Sequence, residues 1–329
     1  LSGDSPFISP DTIANLIDAR ESTGAAAVVL TQVADDPTGY GRIVRDDAGC
    51  VVGIVEEKDC TPEQAALTEC NSSIYCFDVE MLFAALARVD NDNAQGEYYL
   101  TDVISIMVDA GKKVQAVVAD DPQEACGVNS QRQLAEAVKS LQQRINGHLM
   151  DAGVNIMDPD LTWVGPDATI EPDVTLLPMT FVMGASVISS GTVVGPNSRV
   201  YDSKIGSNCR VDETIMSDTI LEDDVNCGPR AYLRPGTYLC EHSKVGTHCE
   251  VKQSVVGVGS KVPHLSYIGD TTIGEGVNIG AGTITCNYNG HEKNKTKIGD
   301  HAFIGSSSML VAPVTIGSDT LIGAGSVIT

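Results

Sequence analysis

From Val164 onward the chain obeys a six-residue rule. Val164, Ile170, Leu176, Val182, Ile188, Val194 and Val200 are seven aliphatic residues spaced by six. Four places after each of the first six stands a small or β-branched residue: Ala168, Val174, Thr180, Ser186, Thr192 and Ser198. A second register runs Leu221, Cys227, Leu233, Leu239, Val245, Val251, and a third runs Ile298, Ile304, Leu310, Ile316, Ile322, Ile328. Neither an α-helix nor a flat alternating strand has this period, whereas a hexapeptide β-helix does, with each hexad forming one short strand and a turn. At roughly 18 residues per triangular coil, the segment predicts about nine coils. Aromatic residues make up only 5% of the chain, with Trp163 the single tryptophan, so small and β-branched side chains must fill the core. Cys209, Cys227 and Cys249 fall at inward positions, and the ten cysteines form no CxxC pair. They read as reduced thiols acting as small hydrophobes, the usage of a cytoplasmic protein.

Residues 1–152 follow a different period and read as α/β, so the expected division is a domain over 1–152 and a β-helix over 153–329. Ser9 and Pro10 mark a helix start in "SPDTIANLIDAR". "AAAVVLTQV", "GRIV", "VVGIVEE" and "KVQAVVA" read as strands. Ser130 and Gln133 have capping-box spacing, and Leu134, Val138, Leu141, Ile145 and Leu149 then form one helical stripe, expected to pack on its neighbours in a helix leading out of the first domain. The net charge of −23 argues against nucleic acid, whose affinity comes from neutralising phosphates. No apolar run approaches a membrane span, and no polybasic run suits a membrane surface. Yet residues 227–300 hold eight Lys/Arg (Arg230, Arg234, Lys244, Lys252, Lys261, Lys293, Lys295, Lys297) against six Asp/Glu. A locally cationic zone in an acidic chain suits a small anion such as a phosphate, although lysines scattered on a solvated face give the same count.

Sites tend to sit on excursions from a rigid scaffold, so breaks in the beat are the places to look. Two stand out: "GSKVPHLSYIGD" between Val258 and Ile268, and residues 278–300, whose loop carries Asn287, Tyr288, His291, Lys293, Lys295 and Lys297. His264, read as part of the first interruption, is a candidate proton acceptor near neutral pH. His242, His248, His264 and His291 match no compact zinc spacing. Taken singly, these residues also have ordinary readings: Arg234 before a proline as a turn residue, Lys252 as a solvated strand lysine, Asn278 as a turn cap.

The phrases "LRPGT", "PHLSYIGD", "NIGAGTITCNYNG" and "IGSSSMLVAPVTIG", with "GDSPFI", "DPTGYGRIV", "GIVEEKD", "NAQGEYYLTD" and "GVNS" in the first half, closely resemble the bacterial bifunctional N-acetylglucosamine-1-phosphate uridylyltransferase/glucosamine-1-phosphate N-acetyltransferase family. The resemblance covers nearly the whole chain. It implies a Rossmann-like α/β nucleotidyltransferase domain followed by a left-handed parallel β-helix. It implies acetyl transfer from acetyl-CoA to glucosamine 1-phosphate, then uridylyl transfer from UTP to N-acetylglucosamine 1-phosphate. His264 is then the general base. Arg234, Lys252, Tyr267, Asn278 and Lys293 bind the sugar phosphate, and Ala281, Asn287, Tyr288, Ser306 and Ala324 line the acetyl-CoA track. Gly3, Asp4, Gly41, Glu56, Asn71 and Asn129 contact the UDP-sugar, with Asp4 and Asn129 as Mg²⁺ ligands. A homotrimer is also implied.

Two departures accompany the resemblance. The chain reads as a fragment without the family's opening glycine-rich nucleotide loop and its C-terminal tail, so weak uridylyl transfer is expected. Pro263 stands where a small residue is expected. Two rivals remain: a sugar-1-phosphate nucleotidylyltransferase with a purely regulatory or oligomerising β-helix, which needs neither His264 nor the 287–297 loop, and a β-helical zinc hydratase, which needs three metal-ready histidines.

Overall fold

The computed structural model describes every residue except Ser2 and Asn129. The chain forms two compact units, Leu1–Ala137 and Val138–Thr329. In chain order, the first unit contains α1 (Pro10–Thr23), β1 (Ala27–Val33), β2 (Arg42–Arg45), β3 (Val51–Val55), α2 (Pro62–Ala65), β4 (Glu69–Phe77), α3 (Val79–Leu86), α4 (Asp102–Asp109) and β5 (Val114–Val118). The long helix α5 (Gln131–Asp151) crosses from one unit to the other. Ser9 caps α1 as its sequence implies, its hydroxyl accepting from the Thr12 N–H at 3.1 Å.

One five-stranded sheet, ordered β3-β2-β4-β1-β5, organises the first unit. β1 runs parallel to β5 and antiparallel to β4. Alternate residues of β1 serve opposite faces, as the two-residue strand period requires. Ala27 and Val29 join a core with Val103, Ile104 and Met107 of α4, while Val28 and Leu30 join another with Leu16 of α1. β4 went unread in the sequence. Its centre is polar, Asn71 and Ser72 being buried, and it is bent by Ser73 at φ 62° and a register shift opposite Val29/Thr31.

The second unit is a left-handed parallel β-helix with three faces. The first face begins at Trp163–Val164, the second at Thr169–Ile170 and the third at Asn155–Ile156, with ten, nine and ten strands respectively. The hexad aliphatics Leu176, Val182, Ile188, Val194 and Val200 are fully buried and stack in one continuous core. Small corner residues bury hydroxyls that bond carbonyls of the adjoining coil: Thr192 Oγ1 donates to Gly206 O at 2.7 Å, and Ser260 Oγ to Gly274 O at 2.6 Å. Some coils are one residue short where the first face turns into the second, as from Val200 to Ile205, Val251 to Val256 and Ile268 to Ile273. These deletions split one physical column into the separate registers seen in the sequence.

α5 closes the start of this column. Ile145 and Leu149 pack on its core, and Asn146 Nδ2 donates to Pro159 O at 2.8 Å and Thr162 O at 2.9 Å. The helical stripe is therefore covered only at its C-terminal end, and there only partly. Leu134, Val138 and Leu141 are exposed, which corrects the expectation that the whole stripe packs. Among the described residues, no helix is long and apolar enough to cross a membrane.

Candidate functional site

The segment "GSKVPHLSYIGD" does not interrupt the repeat. Val256, Val262 and Ile268 keep a spacing of six and are fully buried, so the coil is regular there. Val258 is an exposed turn residue off the inward register, and Val256 carries the beat. His264 lies at the end of the strand Lys261–His264, exposed, at the edge where the third face turns into the first. It pairs with Thr247 of the preceding coil, and its carbonyl accepts from Gly282 N–H at 3.2 Å in the next.

That register continues as a column. Ala281 O accepts from Ser307 N–H at 2.7 Å, and Ser306 O from Gly325 N–H at 2.8 Å, so Thr247, His264, Ala281, Ser306 and Ala324 occupy the same step on successive coils. Neighbouring strands lie ~4.8 Å apart, so the His264 imidazole is followed by a strip of three small side chains about 10 Å long.

The edge where the first face turns into the second carries different chemistry. Tyr232, Glu250 and Tyr267 stack along the first face in register. Just past them, Arg234 Nη1 donates to Glu250 Oε1 at 2.8 Å, and Lys252 Nζ lies 3.3 Å from Asp270 Oδ2. The Lys252 and Asp270 side chains are only 10% and 13% exposed, so solvent screens this pair weakly. Asn287 is buried; its Nδ2 donates to Asp270 and, at 3.4 Å, to the Tyr267 hydroxyl. Gly269 makes room for both, since a Cβ there would stand 2.5 Å from the Tyr267 hydroxyl and 2.7 Å from Asn287 Nδ2.

The true excursion from the prism is residues 287–295, between the strands Ile284–Cys286 and Thr296–Ile298. It is a small hairpin: Tyr288 bridges to Lys293, and Asn289 Oδ1 accepts from the N–H groups of His291 and Glu292, both at 2.9 Å. It brings the Lys293 amine against that of Lys252. Contact with the Lys252 ammonium holds Lys293 below the ordinary lysine value. For Lys252, burial disfavours the charged form, but the Lys293 amine and the Asp270 carboxylate outweigh it and hold Lys252 above that value. Arg234 is likewise raised by its bond to Glu250.

The chain therefore gathers Arg234, Lys252, Tyr267, Asn287 and Lys293 at one edge, and His264, Ala281, Ser306 and Ala324 at the other. Tyr267 stands on the face between them. Asn278 projects from the third face, one coil past Lys261, and Tyr288 is exposed on the hairpin with its hydroxyl donating to Gly290 O at 2.7 Å. Asn287 and Tyr288 do not meet the Ala281–Ser306–Ala324 column within one chain. Sequence reasoning missed Asp270, Glu250 and Gly269.

In the first unit, Asn71 N–H donates to Gly41 O at 2.8 Å, and a Cβ on Gly41 would stand 3.5 Å from the Glu56 carboxylate. Glu56 accepts from the Thr101 hydroxyl at 3.0 Å, and Asn71 Nδ2 donates to the Tyr75 hydroxyl at 2.8 Å. Burial pushes that phenol up to about 12. These three candidates thus converge on β2–β4, beside a cleft of about 410 Å³ lined by Glu56, Asp59, Tyr99 and Asp102. Burial, then the Asp90 and Asp59 charges, raises the Asp102 carboxyl. Gly3 is exposed, and Asp4 O accepts from Val128 N–H at 2.9 Å. Asn129 lies outside the described residues. Among the described residues, no three His, Cys, Asp or Glu side chains gather as a metal site.

A sheet-based nucleotide-sugar unit and a hexapeptide prism with a cationic edge define a two-part transferase. A nucleotidyl transferase family model matches residues 1–145, and a bacterial transferase hexapeptide (six repeats) model matches residues 295–329. Bifunctional protein GlmU of Heliobacterium modesticaldum is 51% identical over 329 residues, covering 100% of this chain and 72% of the relative. Bifunctional protein GlmU of Carboxydothermus hydrogenoformans is 47% identical, over 99% of this chain and 73% of that protein. The same protein of Clostridium acetobutylicum is 44% identical, over 100% and 72%. The chain belongs to the bifunctional GlmU family of transferases.

Proposed function

We propose that the chain serves UDP-N-acetylglucosamine synthesis by two transfers: acetyl from acetyl-CoA to glucosamine 1-phosphate, then uridylyl from UTP to N-acetylglucosamine 1-phosphate. The observation that carries the first step is the column in which exposed His264 is continued by Ala281, Ser306 and Ala324. Small side chains let a pantetheine arm lie close to the wall and end its thioester beside the imidazole. His264 takes a proton from the sugar amine as nitrogen attacks the thioester carbonyl. The C–N bond forms, the C–S bond breaks, and the proton passes to the departing coenzyme thiolate. Arg234, Lys252 and Lys293 supply charge-assisted bonds to the sugar phosphate, and Tyr267 and Asn278 orient the sugar. Asn287 and Tyr288 lie on the other edge, so they share a coenzyme with the column only where two copies juxtapose unlike edges. That fits a homotrimer.

In the first unit, Gly41, Glu56 and Asn71 hold the UDP-sugar, with Gly3 near its phosphates. Asp4 is the described member of the Asp4/Asn129 pair assigned to Mg²⁺, and its carboxylate is the hard oxygen donor such an ion prefers. The ion, when bound, neutralises nucleotide phosphate charge. A cytoplasmic location agrees with ten free thiols. The test is acetyl transfer to glucosamine 1-phosphate by the parent and by His264→Ala, each checked for an unchanged thermal melt. The variant should lose about 100-fold or more in kcat; equal rates would remove the base.

A further inference from the structure

Where the first face turns into the second, the turn residue adopts a left-handed backbone in coil after coil: Asp202 at φ 45°, Asp218 at φ 47°, Gln253 at φ 44° and Asp270 at φ 51°. Aspartate is a common choice there because its short side chain tolerates that conformation. Asp202 turns its carboxylate onto the backbone of the preceding coil, accepting from Ala185 N–H at 3.0 Å. Asp270 is aimed elsewhere. Its carboxylate takes Lys252 from the preceding coil and Asn287 from the hairpin, and so joins two elements that covalent connectivity leaves apart. A carboxylate is also an unexpected neighbour for a site that binds an anion.

We propose that Asp270 is a positioning residue for the sugar phosphate: it locks Lys252 and Asn287 in place and supplies the counter-charge that lets two lysine ammonium groups stand side by side. The inference rests on the reading above that this edge receives glucosamine 1-phosphate. Two ammonium groups in contact repel, and the cheapest relief is loss of one proton. Lys293 already sits below the ordinary lysine value through that contact. The groups around Asp270 are Lys252, Lys293, Tyr267 and Arg234, the last paired with Glu250, while Lys295 lines the neighbouring cleft of about 250 Å³. Among the described residues, Asp270 is the carboxylate that faces the Lys252–Lys293 pair. Without its charge, both lysine values fall, the pair sheds a proton at lower pH, and the anion loses one of its two ammonium partners as pH rises.

The experiment is calorimetric titration of the full chain with glucosamine 1-phosphate at about pH 7 and about pH 9, for the parent, Asp270→Asn and Asp270→Glu. The parent corrects for titration of the sugar amine. The expected result is an Asp270→Asn affinity about tenfold below the parent near pH 7, with the gap several-fold wider near pH 9. Asp270→Glu keeps the charge while misplacing Asn287, so it should bind more weakly than the parent by a ratio that does not change with pH. An Asp270→Asn protein that matches the parent, or differs from it by a constant ratio, overturns the inference and leaves the acetyltransferase reading standing. So does a widening ratio for Asp270→Glu, which also serves where Asp270→Asn fails to fold. A parent that binds no glucosamine 1-phosphate overturns both.

Discussion

Gly269→Ala is a one-carbon test of the cationic edge. The added Cβ would stand 2.5 Å from the Tyr267 hydroxyl, 2.7 Å from Asn287 Nδ2 and 2.8 Å from Tyr267 Cε1, where ordinary contact begins at 3.4 Å. Both side chains must therefore retreat by roughly 0.6 to 0.9 Å. Tyr267 stands on the face between His264 and the Lys252 edge, and Asn287 ties the hairpin to Asp270. A displacement near 1 Å in a positioned group costs about 100-fold in rate, so kcat/KM for acetyl transfer should fall about 10- to 100-fold. Overpacking costs about 1–3 kcal/mol, partly offset by the stiffer unfolded chain, so the melt should shift only a few degrees. The assay is steady-state loss of the acetyl-CoA thioester. Gly317→Ala is the control, because its Cβ meets only Thr320 Oγ1 at 3.4 Å. A folded Gly269→Ala protein with parental kcat/KM would refute the claim that this glycine is a cradle for the two side chains.

Two further outcomes test the scaffold. Ile268 is fully buried in the prism column. Its replacement by alanine should cost about 2–5 kcal/mol in urea denaturation, and a loss below about 1 kcal/mol would contradict a close-packed column. In the first unit, burial alone would raise the Glu69 carboxyl, but bonds from Arg45 at 2.7 and 2.6 Å and from Thr31 at 2.9 Å outweigh it and hold the group below its ordinary 4.5. A depressed carboxylate stabilises the fold above its unfolded value and loses that contribution as pH falls through the folded one. Glu69→Gln should therefore flatten the stability–pH curve of the first unit below about pH 5. An unchanged acid limb in chemical denaturation would contradict that assignment.

The hexad aliphatics were legible because only one side chain per strand points inward, and that side chain must be compact and apolar. The register was less so. Coils shortened by one residue, as from Val251 to Val256, shift the count without any mark in composition. His264 was consequently placed in a loop when it ends a regular strand. β4 was hidden because its buried Asn71 and Ser72 satisfy hydrogen bonds, not hydrophobicity. At the site, lysines, amides and the histidine carried a signal of type. Asp270 carried none, being indistinguishable in sequence from the turn residues Asp202 and Asp218. Only the neighbours that folding brings to it, Lys252 and Asn287, set it apart.

In the proposed function, an irregular edge and a strip of small residues on a stiff prism hold an amino-sugar phosphate and an acyl carrier on either side of His264. A crystal structure of the full chain with coenzyme A and N-acetylglucosamine 1-phosphate tests it most directly. The pantetheine should lie along Ala281, Ser306 and Ala324, its sulfur beside the His264 imidazole, and the phosphate on Lys252 and Arg234. A coenzyme bound away from that column, with the imidazole touching neither ligand, would contradict it.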